Sequence, residues 1–227
     1  MSEPLPPPAS ILHGPIERAD AAGRLVERAQ FNQGTLDGPL AQFRPDGGIE
    51  REMHFLEGKL DGPFTAYGAD GSAALRQTWR GGILHGPAAI YTNDGRPVAD
   101  MTYRLGKLDG TMRSYDATGR VTTLATYAAD KLEGETTVLR PSGTTMRVMN
   151  YRAGLLDGET VDYWENGIVQ RRSPYKAGKL DGWVVDHDET GREIGRARYA
   201  EDKPVGAGPG GGPAPGKPGL LARLRGS

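Results

Sequence analysis

One short motif returns every 24 residues and restricts what this chain can fold into. Its clearest form is Gly-Lys-Leu-Asp-Gly at residues 58–62, and related pentapeptides begin at residues 10, 34, 82, 106, 130, 154 and 178. A fixed period of this length is typical of repeat arrays, in which each repeat packs on its neighbours instead of enlarging one globular core. We therefore assign residues 10–206 to eight repeats and the start of a ninth, and we number positions from the first residue of each pentapeptide.

Glycine and aromatic residues hold fixed positions within the repeat. Positions 5 and 14 are glycine in all eight copies, and position 14 mostly follows a short polar residue, as in Asp94-Gly95 and Asn166-Gly167. Such pairs supply the positive φ angles that tight hairpin turns require. Flanking runs such as Ala89-Ile90-Tyr91 contain β-branched and aromatic residues without helical spacing. The sequence therefore predicts an all-β fold, an elongated single-sheet antiparallel β-meander of eight 24-residue hairpin repeats with two strands each.

The pattern leaves the assignment of the two sheet faces open. Position 22 is aromatic in every copy, and position 10 is aromatic in five copies, namely Phe43, Tyr67, Tyr91, Tyr115 and Tyr163. Position 7 is also mostly apolar, although its parity along the strand is opposite to that of position 10. A β-bulge between the two positions would explain this, and so would apolar residues on both faces.

The residues outside the array have the composition of unstructured segments. Residues 1–9 form a proline-rich lead-in, residues 207–218 a Gly/Pro-rich linker, and residues 219–227 a short basic and apolar tail. We expect the lead-in and the C-terminal tail region to be disordered. The alternative for the tail is a docking peptide that contacts a partner or a membrane surface through Leu220, Leu221, Arg223, Leu224 and Arg225.

Composition and motifs argue against several functions. The 28 basic and 29 acidic residues nearly cancel, which disfavours nucleic acid as a partner. The chain has no cysteine for disulfides or thiolate metal sites. It lacks a signal peptide and any apolar stretch of membrane-spanning length, so we expect a cytoplasmic protein. It also lacks a nucleophile elbow, a zinc-binding helix and a phosphate-binding loop, so we expect no enzyme activity, no catalytic residue, no cofactor and no metal.

Position 4 carries an acidic residue or a histidine at the turn between repeats. Its members are His13, Asp37, Asp61, His85, Asp109, Glu133, Asp157 and Asp181. Successive members should lie about 10 Å apart, too far to share one calcium ion. We expect these side chains to bond to backbone groups of the turns.

Residues 103–110, Tyr-Arg-Leu-Gly-Lys-Leu-Asp-Gly, with Tyr115 and Gly119 after them, resemble the MORN repeat. More narrowly they resemble the variant found in tandem in bacterial antitoxin or immunity proteins, and the resemblance covers residues 10–206. Two departures from the common eukaryotic pattern favour this variant over lipid-binding members. The Tyr-x-Gly start is missing, and Leu40, Phe64, Ala88 or Met112 stands where a second glycine is expected.

The resemblance implies a non-catalytic protein-binding scaffold that neutralises a toxin or effector. The candidate contacts are the position-10 residues Phe43, Tyr67, Tyr91, Tyr115 and Tyr163, because partly exposed tyrosines offer contact area at low entropic cost. The alternative for these side chains is a structural stack that holds the sheet together. The alternative function is a structural or membrane-associated scaffold, with the array as a spacer and the basic tail as an anchor. The partner, the binding face and the oligomeric state stay open.

Overall fold

The computed structural model describes residues 11–207, which form strands and turns and no helix. The lead-in, all of the predicted linker except Ala207, and the tail residues Leu220, Leu221, Arg223, Leu224 and Arg225 lie outside the described residues. Within residues 11–207 there is no helix of the length and apolarity that crossing a bilayer requires. The chain divides into a first unit, residues 1–120, and a second unit, residues 121–227.

The first unit is an antiparallel meander in which neighbouring strands of the chain pair with each other. Its strands are β1 (Gly14–Ala19), β2 (Leu25–Asn32), β3 (Thr35–Phe43), β4 (Ile49–Leu56), β5 (Lys59–Tyr67), β6 (Ala73–Arg80), β7 (Ile83–Leu84), β8 (Gly86–Tyr91), β9 (Pro97–Arg104) and β10 (Lys107–Tyr115). The short strand β7 and β8 both pair with β6 and are interrupted only at His85. They therefore act as one strand of the predicted hairpin.

The second unit repeats this arrangement. Its strands are β11 (Val121–Ala128), β12 (Lys131–Leu132), β13 (Gly134–Leu139), β14 (Thr145–Arg152), β15 (Leu155–Leu156), β16 (Gly158–Tyr163), β17 (Val169–Lys176), β18 (Lys179–Leu180), β19 (Gly182–His187), β20 (Glu193–Ala200) and β21 (Lys203–Ala207). The last strand covers residues that we assign to the ninth repeat. The predicted all-β antiparallel meander of hairpins is confirmed in both units.

Two kinds of turn connect the strands, and both depend on positive φ angles. In the hairpin between β8 and β9, the Thr92 carbonyl accepts a hydrogen bond from the Gly95 amide at 2.9 Å, and Gly95 has a φ of 78°. In the turn between β9 and β10, Leu105 and Gly106 have φ angles of 52° and 81°. Two consecutive left-handed residues are typical of the two-residue type I′ hairpin. The predicted reversals at position 14 and at the pentapeptide are therefore confirmed.

The glycine at position 5 lies in a bulge between repeats. Leu108 pairs with Tyr103 and Met112 with Met101, so three residues of β10 face a single residue, Thr102, on β9. At Gly110 the φ angle is 125°, and an added Cβ would lie 3.1 Å from the Cβ of Thr102. Both the backbone angle and the close approach of the strands therefore require glycine here.

The two sheet faces are distinct in each unit. The core face carries positions 3, 7, 20 and 22, and in the second unit its most buried cluster is Leu180, Val184, Ala197 and Tyr199. The opposite face, which we call the groove face, carries positions 6, 8, 10, 19 and 21. The pairing of β8 with β9 is regular from Gly86 to Ile90 and shifts only before Tyr91. The Tyr91 ring lies against Arg76, which pairs with Ala89 at position 8, so position 10 shares the face of position 8 and not that of position 7. Of the two interpretations that the sequence allowed, apolar residues on both faces is the correct one.

Candidate protein-binding groove

A groove with a volume of about 510 Å³ lies on the groove face of the first unit. Five neighbouring strands, β5, β6, β8, β9 and β10, contribute to it. Short side chains form its floor: Pro63 and Pro87 at position 6, Thr65 and Ala89 at position 8, and Thr78 and Thr102 at position 21. Because none of these side chains is long, the residues on either side rise above the floor.

The bulge explains why proline is tolerated on this floor. Position 6 is proline in the first four repeats, Pro15, Pro39, Pro63 and Pro87. Proline cannot donate to a strand ladder, and within sheets it is found at edges and bulges. The extra residues at positions 4–6 remove the need for that donor. A smaller hollow of about 200 Å³ over Pro15 and Pro39 shows that a similar arrangement recurs two repeats earlier.

Aromatic side chains at position 10 form one wall of this face, and all of them are half-buried. Each contacts the position-19 residue of the preceding repeat. Two of these contacts are cation–π contacts: the Arg28 guanidinium lies 6.0 Å from the centre of the Phe43 ring, and the Arg76 guanidinium lies 5.4 Å from the centre of the Tyr91 ring. The other two are hydrogen bonds: the Tyr67 hydroxyl donates to Glu52, and the Tyr115 hydroxyl donates to Asp100 at 3.2 Å. The structure thus places four of the five predicted contacts in one row of the first unit.

The fifth predicted contact, Tyr163, lies in the second unit. Its side chain is half-buried, and its backbone carbonyl accepts a hydrogen bond from Arg140 of the preceding repeat. Its role as a partner contact stays a prediction, as it does for the other four residues.

Two tyrosine hydroxyls in the row serve as donors to carboxylates. The hydrogen bond to Glu52 raises the pKa of Tyr67, and partial burial raises it further. Burial is the main cause of the raised pKa of Tyr115, and the nearby carboxylate of Asp100 adds to it. Both hydroxyls therefore keep their protons, and Glu52 and Asp100 each have a donor within this chain.

The charges at position 19 alternate in sign along the first unit, in the order Arg28, Glu52, Arg76 and Asp100. Arg28 forms an ion pair with Glu17 at 2.7 Å, and Asp100 forms one with Arg113 at 3.2 Å. Arg76 differs, because no carboxylate among residues 11–207 lies within ion-pair distance of its guanidinium. The groove therefore contains an exposed cation that is backed by an aromatic ring.

The position-4 side chains bond to the turns, as the sequence predicts. The Asp61 carboxylate accepts a hydrogen bond from the Gly81 amide at 2.9 Å, and the Asp157 carboxylate accepts one from the Ala177 amide at 3.1 Å. Across the part of the chain that the structure describes, no three His, Asp or Glu side chains are grouped closely enough to hold a metal ion. Asp61 and Asp157 therefore each connect one turn to the turn of the next repeat.

Sequence reasoning identified the aromatic row but missed Arg76 and the floor of the groove. Two signals in the sequence could have found them. Proline at position 6 is confined to the first four repeats, and the sign of position 19 alternates over the same repeats. Both patterns become visible only when the repeats are aligned by position. Positions 6 and 19 both lie on the groove face.

The family model described as the MORN repeat variant matches residues 156–177. The match supports the MORN-repeat family. Residues 156–177 lie within the seventh repeat and include β16 and β17, so the matched MORN repeat has the same phase as the period seen in the sequence. A MORN repeat is consistent with a binding or scaffold role.

Curated proteins and solved structures were also compared with this chain. Among curated proteins, no relative matches the chain. A solved structure named "Crystal Structure of TcdB2-TccC3" is similar over 81% of this chain at 11% sequence identity, with a TM-score of 0.21. The similar region spans 12% of that protein's chain.

Proposed function

We propose that this protein is a non-catalytic repeat scaffold that binds another protein through the groove face of its first unit. The observation that carries the proposal is the half-buried row of Phe43, Tyr67, Tyr91 and Tyr115, of which Tyr91 lines a groove of about 510 Å³. Half-buried tyrosines with fixed hydroxyls lose little entropy on binding and are frequent among residues that dominate interfaces. The MORN repeat match supports the same role.

The finer form of the proposal is that the partner is a toxin or effector in the cytoplasm. The scaffold would neutralise it by covering the surface that the toxin needs for its own activity. The similarity of the repeats to the variant found in bacterial antitoxin and immunity proteins supports this form. It requires no chemistry from the scaffold, because steric exclusion alone would suffice.

The scaffold proposal is tested with the full chain, tagged and recovered from its own cells. We expect a captured protein to bind Tyr91→Ala and Tyr115→Ala variants at least about tenfold more weakly, since each truncation removes an interface side chain. Because both side chains are only half-buried, their melting temperatures should fall by only a few degrees. Tyr103→Ala is the matched control, since Tyr103 lies in the same unit on the core face. It should lower stability and leave the affinity of the folded protein unchanged.

Two outcomes would count against the proposal. Unchanged affinity in both groove-face variants would remove the row as a binding surface. Parallel losses of stability and affinity would assign the two tyrosines to the structural stack instead. The finer proposal has its own test, in which the captured protein is expressed alone and together with this chain. If the captured protein does not inhibit growth by itself, the antitoxin role is wrong while the scaffold role stands.

A further inference from the structure

Arg76 has no carboxylate within ion-pair distance among residues 11–207, whereas Arg28 and Asp100, at the same repeat position, are both in ion pairs. Its two cross-strand neighbours are Thr65 on β5 and Ala89 on β8, and both are neutral and short. By contrast, Arg28 faces Glu17 on β1 and pairs with it. Within residues 11–207 the only cation–π partner of Arg76 is the ring of Tyr91. The guanidinium therefore lines the groove without a carboxylate of residues 11–207 in ion-pair contact.

The dimensions of the groove fit an extended peptide that crosses the strands. Five strands at about 4.8 Å spacing span roughly 19 Å between the outer two, and an extended chain at about 3.3 Å per residue would cover this distance with roughly six residues. Away from the bulge, the backbone beneath the floor is engaged in pairing between β5, β6, β8, β9 and β10, and at the bulge the Thr78 hydroxyl donates to the Pro87 carbonyl at 3.1 Å. Recognition of a peptide therefore depends mainly on side chains, and those that line the groove include the Tyr91 ring and Arg76.

The charge of the groove indicates which charge the bound peptide should carry. Arg113 and the Tyr115 hydroxyl both contact the Asp100 carboxylate, so the negative charge in the groove is already neutralised. Arg76 is then the uncompensated charge. A guanidinium can bind a carboxylate through two parallel N–H···O hydrogen bonds. Stacking on an aromatic ring limits the orientations of the guanidinium, which favours this two-donor contact. A basic residue at the same place would be repelled.

We propose that the groove binds an extended segment of the partner protein and that Arg76 receives the side-chain carboxylate of an aspartate or glutamate in that segment. The inference rests on the proposed scaffold function and specifies which feature of the partner is recognised. It commits to a side-chain carboxylate, and a free peptide C-terminus is the competing source of the same chemistry.

The test uses the full chain and a random linear peptide library displayed on phage. Peptides selected on the wild-type protein are synthesised with amidated C-termini, and their affinities are measured by fluorescence polarisation. We expect one acidic residue to recur at a fixed position. Replacing it by its amide should weaken binding to the wild type about tenfold or more and should have little effect on binding to Arg76→Gln, because the two partners act through one contact.

Two further variants sharpen the result. Arg28→Gln is the matched control, since Arg28 occupies the same repeat position but already has a carboxylate partner, and it should bind the peptides as the wild type does. Arg76→Lys should recover only part of the affinity, because a lysine cannot make the two-pronged contact. Full recovery by lysine would reduce the contact to a simple charge effect and overturn the geometric part of the inference.

The failures of the inference and of the scaffold proposal can be told apart. Selected peptides without a recurring acidic residue, or with equal affinity for the wild type and Arg76→Gln, would overturn the inference. So would the absence of any selected peptide, or binding that requires a free C-terminal carboxylate. If the peptides nevertheless lose affinity on Tyr91→Ala, the scaffold proposal survives. If neither Arg76→Gln nor Tyr91→Ala affects any bound peptide or captured protein, both are wrong.

Discussion

Substituting the bulge glycine Gly182 by alanine tests the link between the repeated glycines and stability. Gly182 has a φ angle of 127°, and an added Cβ would lie 2.8 Å from the Cγ and 3.4 Å from the Cβ of Pro174. Placing an L-residue in a positive-φ conformation costs about 1–2 kcal/mol. Overpacking against a rigid proline ring adds about 1–3 kcal/mol, because the ring cannot rotate away. We therefore expect Gly182→Ala to lower the free energy of unfolding by about 2–5 kcal/mol.

Gly167→Ala is the matched control in the same unit. Gly167 has a φ angle of 83°, and an added Cβ would meet no heavy atom within 4 Å. It should therefore carry only the backbone cost of about 1–2 kcal/mol. Urea unfolding monitored by far-ultraviolet circular dichroism measures both variants, provided that the dependence on urea is unchanged.

A double-mutant cycle with Pro174→Ala isolates the steric contact from the backbone angle. Removing the proline ring should restore about 1–3 kcal/mol to Gly182→Ala, since the overpacked atom is then absent. The reasoning is refuted if the ring's removal restores nothing. Equal losses in Gly182→Ala and Gly167→Ala would also show that the approach of the two strands does not require glycine at position 5.

Three more predictions concern the turns. Asp61→Ala should cost about 1 kcal/mol in urea unfolding, since it removes the acceptor of the Gly81 amide, whereas Asp61→Asn should keep most of that stability. Hydrogen bonds from the Arg96 side chain, and to a smaller extent from Thr92, lower the pKa of Asp94 to about 2, below the value of about 3.9 in the unfolded chain. The ionised Asp94 carboxylate therefore stabilises the fold above about pH 4, and this contribution is lost as the pH falls towards 2. Urea midpoints measured over this range should decline less steeply in Asp94→Asn, and identical slopes would contradict the assignment. Leu105 is 71% exposed with a φ angle of 52°. Because asparagine tolerates this left-handed conformation better than leucine, Leu105→Asn should raise the unfolding free energy by about 0.5–1 kcal/mol. A lower melting temperature would show instead that the exposed leucine contributes packing.

Much of the fold could be predicted because it depends on local conformation. The glycines at positions 5 and 14 and the short polar residues before position 14 determine where the chain can reverse, and these requirements recur at every repeat. Gly95 and Gly106 adopt the left-handed angles that the turn chemistry requires. The backbone role of Asp61 was also predictable, because a short carboxylate in a turn has few partners other than nearby amides.

The faces and the groove could not be predicted from the same signals. Ala88 at position 7 is buried and Tyr91 at position 10 is half-buried, so both look apolar in the sequence although they lie on opposite faces. Which face a strand residue occupies depends on register, and the pairing between β9 and β10 shifts by two residues at the bulge. Arg76 was overlooked because its availability depends on the neutral residues Thr65 and Ala89 across the strands, which are far from it in the repeat numbering.

The hydrogen bonds between successive pentapeptide turns have a consequence for how such a chain can change length. The Gly58 amide donates to the Leu36 carbonyl, and the Gly82 amide donates to the Leu60 carbonyl, so position 1 of each turn is joined to position 3 of the turn one repeat earlier. Excising or duplicating a whole period would recreate this bond at the new junction, whereas gaining or losing a single residue would break it. Recombination between copies can therefore lengthen or shorten the array in whole periods without changing the fold of each repeat.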